Sequence, residues 1–134
     1  MIDRLQEKDI DQVAQIEAEI FSVPWSIKSF KDALASEQNI YLKAETDGQI
    51  VGYCGIWTSF ESADLCNIAV KKEFRKAGLG QKLLEAGIQE AAAKGVERIL
   101  LEVRQSNKAA IRLYEKNGFQ TIGLRKSYYT KPVE

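Results

Sequence analysis

Apolar residues near the start of the chain recur at the spacing of a helix. The stripe consists of Val13, Ile16 and Ile20. Residues three and four positions apart lie on one face of a helix, so an amphipathic first helix is predicted. Asp9, with Gln12 three residues later, is typical of a capping pair and predicts where this helix begins. A short strand over residues 2–5 is predicted to precede it.

A break at Pro24 separates this helix from a second one. Proline restricts the residue before it to extended geometry, which ends a helix. Ser26 can cap a new helix by accepting a hydrogen bond from a backbone N–H, and Phe30 and Leu34 then share its apolar face. The first part of the chain is therefore predicted to fold as helix, loop and helix.

The middle of the chain has the pattern of β-strands. Residues 40–45 and 50–58 are rich in β-branched and aromatic side chains, and Asp47-Gly48 lies between them. This dipeptide tolerates positive φ and closes hairpins, so the two runs are predicted to pair antiparallel. Residues 63–70 are predicted as a further strand.

Helices and strands alternate in the second half. The predicted elements are a helix over 79–93, a strand over 99–103, a helix over 107–117 and a final strand over 119–129. Gly95 and Gly118 follow the two helices and can end them. A meander of strands followed by this alternation predicts an α/β (α+β) fold: a mixed, mostly antiparallel central sheet with helices on both faces.

Composition narrows the classes of function. The chain has 134 residues, 28% of them charged and 45% hydrophobic, which fits one domain over residues 1–134. Basic and acidic residues balance at 19 each, so nucleic acid, which is bound through a basic excess, is not an expected partner. The chain has no histidine, which excludes histidine-activated nucleophiles and histidine zinc sites. No metal is expected.

The cysteines and the N-terminal residues indicate the cellular compartment of the protein. Cys54 and Cys66 lack C-x-x-C spacing and are interpreted as buried thiols in a reducing compartment. The N-terminus is charged where a signal peptide would be apolar, and the sequence contains no run of about 18 apolar residues. A cytoplasmic protein without a membrane partner is therefore expected.

A segment between a predicted strand and a predicted helix has the parts of an anion site. It consists of Arg75, Lys76, Ala77, Gly78, Leu79 and Gly80. Glycines let consecutive N–H groups converge, and the start of a helix adds partial positive charge, which together favour a pyrophosphate. Neither the Walker nor the dinucleotide fingerprint is matched, because Gln81-Lys82 follows Gly80 and no third glycine occurs.

The same segment matches a family signature. Arg75, Gly78 and Gly80 fit the R-x-x-G-x-G pattern of the GNAT superfamily of acetyl-CoA dependent N-acetyltransferases. The chain also resembles the RimI-type N-terminal alanine acetyltransferases of ribosomal protein. That resemblance is carried by Glu17, Phe21, Pro24-Trp25, 67–70, 101–104, Asn107, Ala110, Tyr114, Gly118-Phe119 and Tyr128-Tyr129. It implies a GNAT fold and transfer of acetyl from acetyl-CoA to the N-terminal α-amino group of a protein, with an alanine-starting ribosomal protein as expected acceptor.

Acid and base roles follow from the resemblance. From the residues alone, Glu102 is either a solvated carboxylate or a base beside apolar neighbours, and Tyr114 is either a core tyrosine or a proton donor. The resemblance implies that Glu102 is the general base, that Tyr114 is the general acid for the leaving thiolate, and that Asn107 contacts the cofactor.

The resemblance also assigns the remaining binding residues. The backbone of Ile68, Ala69 and Val70 would pair with the pantetheine arm, at a point where the family often has a bulge. The candidate walls of the acceptor slot are Phe21, Pro24, Trp25, Tyr128 and Tyr129. Ordinary aromatic packing remains the alternative for these five side chains.

The sequence departs from the family pattern at one point, and two other functions remain as alternatives. RimI-type chains usually continue past the Tyr-Tyr pair into a last strand, which is apparently missing here, so a monomer or a strand-sharing dimer is expected. The alternatives are a GNAT enzyme that acetylates a small amine such as a polyamine, and a CoA-binding module without turnover.

Overall fold

The computed structural model describes residues 1–21, 23–101 and 108–119, apart from the side chains of Lys76 and Ala77. The strands are β1 (Ile2–Arg4), β2 (Asn39–Thr46), β3 (Gln49–Ser59), β4 (Ser62–Val70) and β5 (Arg98–Leu101). The α-helices are α1 (Ile10–Ile20), α2 (Ile27–Leu34), α3 (Leu79–Ala93) and α4 (Lys108–Lys116). Within these ranges no helix is long and apolar enough to cross a membrane. The predicted last strand over 119–129 lies outside the described residues beyond Phe119.

The described strands form one sheet in the order β1-β2-β3-β4-β5. Neighbouring strands from β1 to β4 are antiparallel, and β5 is parallel to β4. A parallel pair needs a crossover, which α3 supplies. The β2–β3 hairpin turns at Asp47 and Gly48, which have φ of 52° and 76°. The predicted mixed, mostly antiparallel sheet and its hairpin are therefore confirmed.

Helices cover both faces of the sheet, as predicted. On one face, Tyr53 of β3 contacts Phe30 of α2, with ring centroids 6.0 Å apart. On the other, α3 packs closely on β3, since a Cβ on Gly87 would lie 2.8 Å from Ile56 Cδ1. Of the two cysteines interpreted as buried thiols, Cys54 is buried on this second face, where burial raises its pKa to about 12, whereas Cys66 is only partly buried.

The predicted Asp9–Gln12 capping pair is wrong, although α1 begins where expected. Asp9 occupies the N-cap position but makes no side-chain cap. Its carboxylate instead accepts hydrogen bonds from the Gln6 backbone N–H and from Lys43 Nζ, each at 2.8 Å. A buried ammonium from β2 is a stronger partner than a helical amide, so it takes the carboxylate.

Lys43 forms a buried ion-pair cluster under α1. Its ammonium lies 2.8 Å from Asp9 and 2.9 Å from Glu45, and its side chain is 5% exposed. The hydrogen bonds to Asp9 and Glu45 raise the pKa of Lys43. Burial pushes the pKa of Asp9 upward, but the hydrogen bonds from Lys43 and Gln6 outweigh it and hold that pKa below its usual value.

Replacing Lys43 by methionine is expected to lower the free energy of unfolding by about 3 kcal/mol, because the Asp9 carboxylate stays buried without its cation. Urea denaturation at neutral pH measures this. Lys28→Met is the matched control, since the Lys28–Asp32 pair is exposed and its loss should change stability by less than about 0.5 kcal/mol. Equal stabilities of the two variants would contradict the prediction.

Candidate active site

A β-bulge interrupts β4 at the centre of the sheet. Gly55 pairs with Asn67 and Ile56 pairs with Leu65, so Cys66 is the extra residue. The pairing of β5 with β4 covers Ser62 to Leu65. Beyond the bulge, residues 67–70 of β4 pair with β3, and no strand pairs with their other edge within the described part of the chain. The family resemblance implied a bulge at the strand of residues 67–70, and the observed bulge residue directly precedes that stretch.

Ile68, Ala69 and Val70 occupy this unpaired stretch. The Ala69 side chain joins the core beneath α1 and α2, and Val70 joins the core beneath α3. Their side chains are therefore used in packing, and what they offer a ligand is backbone. A strand edge of N–H and C=O groups suits an extended, amide-containing chain.

The segment after β4 runs directly into the start of α3. The Lys71 N–H donates to Val51 O at 2.7 Å, which anchors the exit of the strand. A short 3-10 helix over Lys72–Ala77 follows, and Gly78 joins it to α3 with a φ of 75°. Arg75 Nε donates to Val70 O at 2.9 Å, so Arg75 ties this segment to β4 with one nitrogen and leaves both Nη groups out of that bond.

The start of α3 meets the requirements of a phosphate site. Its N-cap, Gly78, supplies no side-chain cap, so the first helical N–H groups keep their donors. A Cβ on Gly78 would have no atom within 4 Å, and one on Gly80 would lie 3.7 Å from Leu113 Cδ2. This surface is therefore open to a ligand. With the helix dipole and nearby Arg and Lys residues, it fits the pyrophosphate of acetyl-CoA.

Tyr114 lies on α4 in the core beneath α3. Its side chain is 3% exposed, and its ring packs edge-on against Phe119 at 5.8 Å. Burial raises its pKa, so the phenol stays protonated at neutral pH. Its hydroxyl has no hydrogen-bond partner among the described residues. Glu102 and Asn107 lie outside the described residues, so their roles remain predictions, as does the role of Tyr114.

An amide pair that the sequence did not predict joins α3 to α4. Asn117 Nδ2 donates to Gln81 Oε1 at 2.8 Å, and Gln81 Nε2 donates to Asn117 Oδ1 at 2.7 Å. Asn117 Nδ2 also donates to Leu113 O at 2.8 Å. Gln81 follows Gly80, and Asn117 is three residues beyond Tyr114. The pair therefore fixes the first turn of α3 relative to the end of α4.

A buried carboxylate holds the loop between α1 and α2. Glu17 is 3% exposed. Its Oε1 accepts a hydrogen bond from the Tyr53 hydroxyl, and its Oε2 accepts one from the Trp25 backbone N–H at 3.0 Å. This role is not predicted from the sequence, although a signal is present: Glu17 lies four residues after Val13, on the apolar stripe of α1.

The predicted acceptor walls are partly packed and partly exposed. The Trp25 ring lies 5.2 Å from Phe30 and 5.9 Å from Trp57, between centroids. Phe21 is half-buried against the same core, whereas Pro24 is exposed. Tyr128 and Tyr129 lie outside the described residues. The substrate roles of all five residues remain predictions.

Replacing Glu17 by alanine is expected to lower the free energy of unfolding by roughly 2–6 kcal/mol, because the buried Tyr53 hydroxyl and the part-buried Trp25 N–H lose their acceptor at about 1–3 kcal/mol each. Chemical denaturation measures the loss. Glu19→Ala on the same helix is the control, since Glu19 is exposed and should be near neutral. A Glu17→Ala variant as stable as Glu19→Ala would show that neither hydrogen bond matters.

A second hydrogen-bonded chain runs from Trp57 to the bulge. Trp57 Nε1 donates to the Tyr41 hydroxyl at 2.9 Å, and that hydroxyl donates to Asn67 Oδ1 at 3.2 Å. Tyr41 comes from β2 and crosses β3 at Gly55, where any Cβ would collide with its ring. The sequence does not predict these hydrogen bonds either, because Trp57, Tyr41 and Asn67 lie on three different strands.

Comparison with known proteins identifies the family. The acetyltransferase (GNAT) family model matches residues 10–119. A Bacillus subtilis relative is 44% identical over 124 residues, 92% of this chain and 82% of its own length. The [ribosomal protein bS18]-alanine N-acetyltransferase of Haemophilus influenzae is 36% identical over 132 residues, 98% of this chain and 89% of its own.

Solved structures give the same result. The ribosomal-protein-S18-alanine N-acetyltransferase of Escherichia coli superposes with a TM-score of 0.88 at 35% identity. The alignment covers 96% of this chain and 83% of the Escherichia coli chain. Ard1 from Thermoplasma volcanium also gives 0.88, at 26% identity, covering 97% of this chain and 88% of its own. The predicted family and fold are thereby confirmed: the chain belongs to the GNAT family of acetyltransferases, with ribosomal protein bS18-alanine N-acetyltransferases among its relatives.

Proposed function

We propose that this protein transfers the acetyl group of acetyl-CoA to the α-amino group of an N-terminal alanine, with ribosomal protein bS18 as its acceptor in the cytoplasm. The observation that carries the proposal is the strand edge of β4. After the bulge at Cys66 this edge runs without a described partner strand into the uncapped start of α3. An extended cofactor with a pyrophosphate at one end matches that arrangement.

The acceptor is inferred from the relatives and from the loop between α1 and α2. The Haemophilus influenzae and Escherichia coli proteins, which match almost the whole chain, are named for acetylating the N-terminal alanine of bS18. In this protein Glu17 holds Trp25 against Trp57 at the side of the sheet away from α3. A peptide N-terminus that enters from this side would approach the bulge from the face of the sheet opposite to α3.

The proposed chemistry transfers one acetyl group and removes two protons from the α-ammonium, one to Glu102 and one that ends on the thiol of CoA. Bound acetyl-CoA would supply an acetyl group activated as a thioester. Glu102 would accept a proton from the α-ammonium, which is mostly protonated at neutral pH because its pKa is about 8. The amine nitrogen would then attack the acetyl carbon and lose a second proton as the carbon–sulfur bond breaks. Tyr114, whose phenol remains protonated, would give its proton to the departing thiolate and regain one from the proton that the nitrogen releases.

Turnover with defined acceptors tests the proposal. Purified protein, acetyl-CoA and a peptide with the alanine-starting sequence of bS18 should release CoA thiol, and mass spectrometry should place one acetyl group on the α-amino group. The same peptide with a blocked N-terminus is the control and should not react. Faster turnover of a polyamine than of the peptide would favour the small-amine function. Binding of acetyl-CoA without turnover of either would indicate a CoA-binding module.

A further inference from the structure

Asn67 is a buried polar residue that the proposed chemistry does not use. It follows the bulge residue on β4 and is 4% exposed. Its side chain lies on the face of the sheet that carries Tyr41, the face covered by α1 and α2. This is the side of Trp25 and Trp57, whereas the phosphate site belongs to α3 on the opposite face. Asn67 therefore stands where the acceptor side of the sheet meets the bulge.

The hydrogen bonds of Tyr41 determine which end of the Asn67 amide faces it. An indole N–H is only a donor, so Trp57 Nε1 uses the Tyr41 oxygen as acceptor. The Tyr41 proton then needs an acceptor of its own, and Asn67 Oδ1 supplies it at 3.2 Å. In the reverse orientation, neither the Tyr41 proton nor the Asn67 oxygen would have a partner among the described residues. The Asn67 NH2 group is therefore turned away from Tyr41.

That NH2 group has no hydrogen-bond acceptor among the described residues. A buried donor without an acceptor costs about 1–3 kcal/mol, and native proteins keep few such groups. A donor held in place at the end of a hydrogen-bonded chain suits a ligand that brings a carbonyl oxygen. Two carbonyls would come near the bulge in the proposed reaction, that of the acetyl thioester and that of the first peptide bond of the acceptor.

We propose that Asn67 Nδ2 donates a hydrogen bond to the carbonyl oxygen of the acceptor's first peptide bond. The inference rests on the proposed function and adds a means of substrate selection to it. The peptide carbonyl is favoured over the thioester because the Asn67 side chain lies on the acceptor face. A polyamine has no carbonyl at this position, so this contact selects peptide N-termini over simple amines. Asn67 is thus a specificity-determining residue.

A pair of acceptor peptides isolates this contact. One is an alanine-starting peptide, and the other is the same peptide with sulfur in place of the first peptide carbonyl oxygen, which makes that group a weaker acceptor. Wild type should have a kcat/KM about tenfold higher for the oxygen peptide, the value of one good hydrogen bond. Asn67→Asp keeps an acceptor for Tyr41 but has no amide donor. Asn67→Leu has neither donor nor charge.

Both variants are expected to lose about tenfold in kcat/KM on the oxygen peptide and to treat the two peptides alike within about twofold. The affinity for acetyl-CoA, measured by calorimetry, should stay at the wild-type value. Gln49→Glu is the control for the amide-to-carboxylate change, because Gln49 is exposed at the β2–β3 hairpin. It should retain both the rates and the preference of wild type.

Three results would overturn the inference. If the variants keep the tenfold preference, Asn67 does not contact the peptide carbonyl. If they raise the KM for acetyl-CoA and leave the preference intact, the amide serves the thioester. If wild type acetylates neither peptide, the proposed function itself fails, and the role of Asn67 fails with it. Measuring wild type first separates this last outcome from the other two.

Discussion

Tyr114→Phe and Glu102→Gln are each expected to lower kcat by roughly a hundredfold or more, the range typical of lost proton transfer. Each substitution removes a proton-transfer group and almost no volume. In Tyr114→Phe the ring keeps its edge-on packing against Phe119, and the hydroxyl that is lost has no partner among the described residues. The fold and the affinity for acetyl-CoA should therefore stay close to wild type.

Rates measured from about pH 6 to about pH 9 span the α-amino pKa of about 8 and check both assignments. Burial raises the pKa of Tyr114, so the phenol keeps its proton as the pH rises. Tyr114→Phe should therefore lower the rate across this whole pH range. Loss of a base at Glu102 should lower the rate most below about pH 8, where the amine is still protonated. Glu97→Gln, at an exposed position before β5, is the control. Near-normal rates for both variants would assign these residues to packing.

The parts of the fold set by local signals could be predicted from the sequence. Helix α3 spans Leu79–Ala93, as its apolar spacing and Gly95 indicate. The Ser26 hydroxyl caps α2 by accepting from the Ser29 N–H at 3.1 Å. In each case the deciding residues lie within one element or directly beside it. The conformational preferences of these residues do not depend on tertiary contacts, so the sequence pattern is sufficient to predict the element.

The features that the sequence did not reveal depend on partners far along the chain. Asp9 had the spacing of a cap, but Lys43, 34 residues away, takes its carboxylate. Gln81 resembles any polar residue in a first helical turn until Asn117, 36 residues later, meets it. Neither pairing follows from periodicity, which describes one element at a time. The candidate site combines both kinds of information. Its glycine signature is local in the sequence, whereas the hydrogen bonds that hold its elements together join residues far apart in the chain.

Gly78→Val and Gly80→Val are expected to weaken acetyl-CoA binding by roughly tenfold to a hundredfold, since blocking the backbone costs one or more hydrogen bonds to a charged phosphate at about 1.5–3 kcal/mol each. A side chain at either position would project over N–H groups that the free protein leaves uncapped. Neither position has a protein atom within 3.4 Å of an added Cβ. The expected loss therefore arises from exclusion of the ligand.

Backbone strain is the competing explanation at Gly78, and Gly48→Val controls for it. Both glycines have φ near 75° and open space around an added Cβ, so valine strains both backbones alike. Gly48 lies at the β2–β3 hairpin, far in the chain from α3. Calorimetric titration with acetyl-CoA should therefore separate the variants: Gly48→Val loses stability and keeps affinity, whereas Gly78→Val loses both. Gly80→Val carries no positive φ and should lose affinity alone. If both α3 variants bind acetyl-CoA as tightly as wild type does, the pyrophosphate lies elsewhere.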